Sequence, residues 1–153
     1  MTDDESTVYE HRQNGWLLLG IFVGALLLIV FPTFLLVPKS EYVWLTASTV
    51  PVVAAGGLFS SLTVRVTGKA VEWWFGPGLW TYSVPLCNIE RVHATSTSSW
   101  EGWGIRYTPK GPLYNVSGWD AVGIEKTDGT YLRIGTDEPE KLKQAVDRAR
   151  ELA

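Results

Sequence analysis

The side chains best equipped for catalysis in this chain are two histidines, His11 and His93, a single cysteine, Cys87, and the acids Glu90 and Glu101. Nucleophilic or metal-assisted chemistry needs such groups together, as a base beside a nucleophile or as ligands at short spacing. His11 and His93 belong to different segments, and Cys87 has no Cys or His at ligand spacing. Glu90 and Glu101 could pair, but nothing in the sequence sets their separation. Neither a phosphate-cradling glycine loop nor a nucleophile elbow occurs. The expectation is a chain without catalysis, metal or cofactor. Binding chemistry is better represented. Arg106, Lys110 and Arg133 are of the type that completes a shallow anion site, and Trp74, Trp100 and Trp103 of the type that meets lipid or a protein partner.

The elements that must position these residues begin with two uncharged apolar stretches, residues 16–37 and 43–64, joined by Pro38-Lys39-Ser40-Glu41-Tyr42. As helices of 22 residues each would extend roughly 33 Å, enough for a bilayer core of about 30 Å. The tail before them, residues 1–15, is polar and acidic, unlike the basic leader of a secretory signal. A transmembrane hairpin follows, with Trp16, Tyr42 and Trp44 as interface anchors. Gly20 and Gly24 form a GxxxG pattern that either seats the first helix on the small-residue face of the second or serves homodimerisation. No ionisable residue lies within either stretch, which argues against an ion or proton pathway.

Arg12, Arg65 and Lys69 flank the hairpin on one side and Lys39 on the other, which places both termini in the cytoplasm of a cell-membrane protein. The lone cysteine agrees, because exported small β domains usually carry paired ones. Residues 65–153 are long enough for one small core, and their eleven basic side chains are balanced by eleven acidic ones. That balance removes the usual driving force for nucleic-acid binding. The Asn115-Val116-Ser117 triplet matches a glycosylation acceptor, a role closed to a cytoplasmic domain.

Strand patterns recur through this region. Residues 62–67 and 70–75 alternate around Gly68-Lys69, a turn with glycine first as type II′ requires, and the pairing sets Val66 opposite Val71 and Val64 opposite Trp73. Trp73 and Trp80 fall on apolar faces and are expected in the core. Further strands are expected at 79–84, 88–94, 100–107, 113–117 and from Trp119. At Thr127-Asp128-Gly129 a three-residue loop with Gly129 left-handed keeps Ile124 opposite Leu132 and Val122 opposite Ile134, so the faces stay unmixed. Residues 138–152 then change period: Asp137 and Glu140 have capping-box spacing, and Leu142, Ala145, Val146, Ala149 and Leu152 form one helical stripe. About seven antiparallel strands closed by an amphipathic helix suggest a partly open barrel or sandwich.

Phe75-Gly76-Pro77-Gly78-Leu79-Trp80, Gly104-Ile105-Arg106-Tyr107-Thr108-Pro109 through Tyr114-Asn115-Val116-Ser117-Gly118, and Leu132-Arg133-Ile134-Gly135-Thr136-Asp137-Glu138-Pro139 carry a family likeness. With the preceding hairpin, they make the chain resemble the bacterial pleckstrin-homology-like membrane proteins. The resemblance implies a small sandwich or barrel that binds lipid headgroups, peptides or partner proteins, usually without catalysis. Phosphoinositide-binding members of the wider fold carry several basic residues in the first hairpin, whereas this one has only Arg65 and Lys69. Two functions remain open at this point. One is a membrane-anchored adaptor for a protein partner or a second copy. The other is a lipid-headgroup module built from Trp100, Trp103, Arg106 and Lys110.

Overall fold

The computed structural model describes residues 7–36, 38–98 and 100–152, apart from the side chains of Leu17, Leu18, Lys39, Leu45 and Thr46. Residues 1–6, Val37 at the end of the first apolar stretch, Ser99 and Ala153 lie outside the described residues. The described residues form an α+β fold of nine strands and three α-helices. In order these are β1 (Thr7–Asn14), α1 (Trp16–Leu36), α2 (Tyr42–Leu58), β2 (Ser61–Thr67), β3 (Ala70–Phe75), β4 (Thr81–Pro85), β5 (Ile89–Ser96), β6 (Gly104–Thr108), β7 (Gly111–Asn115), β8 (Asp120–Lys126), β9 (Tyr131–Gly135) and α3 (Pro139–Leu152).

The strands form two sheets, ordered β1-β2-β3-β4 and β5-β8-β9-β7-β6. All pairs are antiparallel except β7 with β9. Alternation explains the packing: Val64, Val66, Val71 and Trp73 from the first sheet and Val92, Val122, Ile124 and Ile134 from the second share one buried core. Tyr114 joins the layers, its ring 5.1 Å from that of Trp73 and 4.9 Å from that of Tyr82. Leu142, Ala145, Val146 and Ala149 of α3 cover the same core, whereas Leu152, expected on that stripe, is exposed.

Helix α1 is long and apolar enough to cross a membrane, and none of its Leu19–Leu36 segment is buried within the protein. Helix α2 lies beside it but has 17 residues rather than the 22 expected. The reason is that residues 61–64 are strand: Leu62 and Val64 continue the apolar run yet point into the β core. The polar tail is also corrected, since residues 7–14 form β1 and pair along β2. No apolar alternation marks that strand. It is held instead by the backbone ladder and by distant side chains, with Tyr9 Oη donating to Glu138 at 3.4 Å and His11 Nε2 lying 2.6 Å from Asp137. Burial and the Glu138 carboxylate push the Tyr9 phenol above its ordinary pKa.

The β2–β3 hairpin has the expected register, Val66 opposite Val71 and Val64 opposite Trp73. Its turn is built differently, because Gly68 is not among the positive-φ glycines. The buried Thr67 hydroxyl organises the turn by accepting from Lys69 and Ala70 N–H and donating to Ala70 O. Thr67→Val is therefore expected to lower stability by about 1 kcal/mol, read as a lower urea midpoint with unchanged slope. An unaltered midpoint would show that the backbone alone holds the turn.

The β8–β9 loop matches expectation, with Gly129 at φ 79° and Ile124 opposite Leu132. At the start of α3, Asp137 does not cap the helix but holds His11, and Thr136 Oγ1 accepts the Glu138 N–H at 3.1 Å.

Candidate functional site

Strand registers decide which loops stand together. In the first sheet Asn14 faces Ser61, Leu62 faces Phe75 and Trp74 faces Thr81. In the second, Ser96 faces Asp120, Ala121 faces Gly135 and Gly104 faces Asn115. The two ends are tied by Gln13 Nε2 donating to Ser117 O at 3.1 Å and Ser117 Oγ donating to Asn14 O at 3.3 Å. Loops 76–80 and 116–119 and the described residues of loop 97–103 therefore occupy one end of the domain, the end where α1 begins and α2 finishes. Gly76 shows how close they come: a Cβ there would stand 2.5 Å from Leu58 O, and its φ of 53° favours glycine.

Tryptophans cluster at this end. Trp80, expected in the core, is 66% exposed beside Leu79, because the turn ends before β4 and lifts it clear of the inner face. Trp80 and Ile105 line a small apolar pocket with Leu58 and Phe59, so the sheet end and the helix end share one surface. Trp100 and Trp103, which the sequence treats alike, part company here. Trp103 folds back against Trp119 with ring centroids 5.8 Å apart, whereas Trp100 is 96% exposed. Sequence reasoning passed over Leu79 and Trp119; the signal that finds them is register, which sends alternate turns to the same end.

The expected anion site does not assemble as a free cationic surface. Arg133 is 1% exposed on the outer face of the second sheet. Its guanidinium grips Glu101 with both terminal nitrogens, one at 3.0 Å, and also donates to Thr108 Oγ1 at 3.0 Å. Glu101 additionally accepts the Ser98 N–H at 2.8 Å. These Arg133 hydrogen bonds first, then that of Ser98, and the charges of Arg133 and Lys110 hold the Glu101 carboxyl down to about 2. The chain thus supplies its own anion, and the pair folds loop 97–103 onto the sheet. Arg106 Nε donates to Trp103 O at 3.2 Å. Trp74 is half-buried beneath Arg65, whose guanidinium carbon lies 5.0 Å from the ring centroid.

Lys110 sits in the β6–β7 turn, at the opposite end from Gly104, beyond a strand that runs roughly 13 Å at about 3.3 Å per residue. It lines a shallow groove of about 540 Å³ with Glu90, His93, Glu125, Lys126 and Tyr131. His93 and Tyr131 stack there at 5.7 Å, with Tyr131 Oη 3.2 Å from His93 Nε2. Burial raises the Tyr131 phenol above its usual pKa. Glu125 bridges Arg91 at 3.5 Å and His93 at 3.9 Å. Exposed Cys87 lies apart, its Sγ 3.6 Å from Asn88 Oδ1. Glu90 and Glu101 do not form a carboxylate pair, because Glu101 is committed to Arg133. Among the described residues no cluster of three or more His, Cys, Asp or Glu is placed to hold a metal ion.

Gly20 and Gly24 do not seat α1 on α2. A Cβ at either would meet nothing within 4 Å, whereas one on Gly56 of α2 would stand 3.4 Å from the Phe22 ring. The helices close through Phe22 and Gly56 because those residues fall on the facing sides.

No protein-family model matches this chain, and comparison with curated proteins and with solved structures finds no significant match.

Proposed function

We propose that this chain is a non-catalytic, membrane-anchored binding protein of pleckstrin-homology-like build. Helices α1 and α2 form its transmembrane hairpin, and both ends of the chain lie on the cytoplasmic side. The β domain presents the outer face of its second sheet to a protein partner. One observation carries this reading: an apolar, unburied helix runs into the sheet with almost no linker. Gly15 alone separates β1 from α1, and its N–H donates to Ser60 O at 2.7 Å, where α2 passes into β2. Such a joint fixes the domain against whatever holds the helices. The groove around His93 and Tyr131 carries Lys110 and Lys126 beside Glu90 and Glu125, a mixture that suits a protein surface of both signs better than a phosphate. The headgroup reading loses support because Arg133 is already paired with Glu101.

The test has two arms on the full chain. In native membranes the protein is expected to stay in the pellet through alkaline carbonate and leave it in detergent; release by carbonate alone would end the anchored reading. A photo-crosslinker placed at Lys126 in those membranes is expected to give one discrete protein adduct that a crosslinker at Glu151 does not. Identical patterns at the two positions would end the partner reading.

A further inference from the structure

We infer that the tryptophan-bearing end of the β domain is itself seated in the interfacial zone of the bilayer, so that the domain is held upright by contact as well as by its helices. The inference rests on the proposal that α1 lies in the membrane. The occupant it assigns to this surface is the headgroup and upper-acyl region of lipid. Three observations point there.

The first is continuity. Trp80 and Ile105 share a pocket with Leu58 and Phe59, so the apolar surface of the hairpin runs onto the sheet end without a polar break. The second is composition and exposure. Trp16, Leu79, Trp80, Trp100 and Trp119 are 73%, 64%, 66%, 96% and 45% exposed, in positions the core does not use. Indole rings favour the zone where an apolar body and a polar N–H are both accommodated, and a water-exposed apolar patch of this kind marks an interaction surface. The third is charge. Loops 76–80 and 116–119 contain no ionisable residue, and the only one in loop 97–103, Glu101, is neutralised by Arg133. The nearest acid, Asp120, stands at the first residue of β8. One cation stands close, Arg106, with its Nε held by Trp103 O, so the contact is mainly apolar, little affected by lipid charge or salt, and distinct from headgroup capture by a cluster of cations.

A consequence is directional. The turns at the far end, including Lys69, Lys110 and Asp128, face away from the membrane, and the groove around His93 opens sideways to water.

The test uses the full chain in nanodiscs of phosphatidylcholine. Single-cysteine variants Leu79→Cys and Trp100→Cys, in a Cys87→Ser background, carry an environment-sensitive fluorophore, and headgroup-region nitroxide lipids act as quencher. Asp128→Cys and the native Cys87 report the far end, and Val23→Cys in α1 reports the hairpin with a deep quencher. Positions 79 and 100 are expected to be quenched at least about threefold more than 128 and 87, unchanged between low and high salt. Quenching at 23 with none above the far-end level at 79 and 100 would overturn this inference and leave the anchor standing. No quenching at 23 would overturn both. Loss of the contrast in high salt would assign the contact to charge and overturn the apolar account.

Discussion

Glu101→Ala is expected to destabilise the β domain by about 3 kcal/mol, because it strands the Arg133 guanidinium as an unpaired charge that is almost wholly buried. Arg133 stands on the outer face of β9, the strand between β8 and β7, and is covered by the loop that carries Glu101, so it reaches water only if that loop lifts from the sheet. Thr108 Oγ1 would remain as its described partner. Arg133→Met should be milder, since the abandoned Glu101 belongs to a loop that can turn outward, and the double variant Glu101→Gln/Arg133→Met should recover most of the loss. Acid probes the same pair. The Glu101 carboxyl is held near 2 in the folded chain, below its ordinary value of 4.5. Its contribution is therefore present above about pH 4.5 and lost as pH falls through 2. Hydrogen exchange of residues 98–103 should rise across that window while β2 and β3 stay protected. Flat exchange down to pH 2, or a Glu101→Ala variant as stable as the parent in denaturant, would refute the role given to this pair.

Gly111→Ala is expected to be the most damaging single-methyl change in the domain. Gly111 has φ 106°, and a Cβ there would stand 2.0 Å from Tyr131 O. The atom in the way is backbone, so relief requires moving β9 away from β7, where Leu113 pairs with Arg133. A loss above about 3 kcal/mol follows, combining left-handed strain with overpacking. Gly104→Ala is the control: its φ is 96°, but nothing lies within 4 Å of the added carbon. That variant should lose about 1 kcal/mol, the conformational part alone. Equal urea midpoints for the two would show that the close approach at Tyr131 carries no weight.

The parts of this fold that could be read in advance are those written in local periodicity. The β2–β3 register, the loop at Gly129 and the stripe through Leu142 and Val146 each follow from residues a few positions apart. The second apolar stretch runs on past the end of its helix because a helix and an inward strand can both display Leu62 and Val64, and only the partner strand decides. Strand β1 left no mark because its stabilising contacts, Tyr9 with Glu138 and His11 with Asp137, connect residues more than a hundred positions apart. The candidate surface was half visible. Trp100 and Trp103 share one glycine-flanked loop, and what separates them is Trp119, a neighbour only after β6 and β7 have folded. Arg133 looked like a surface cation because every second residue of an outer face usually is; the loop that covers it is recruited by Glu101.

The joint at Gly15 and Ser60 limits how the two helices can move. Strands β1 and β2 are laddered from Asn14–Ser61 to Thr7–Thr67, and each leads into its own helix within one or two residues. Sliding α1 past α2 like a piston would drag β1 along β2, and a slip of one residue, about 3.4 Å, would turn Tyr9, His11 and Gln13 to the wrong side of the sheet. Axial strokes are thus locked out. Only a common tilt of the pair reaches the sheet, which makes hairpin and domain a single lever.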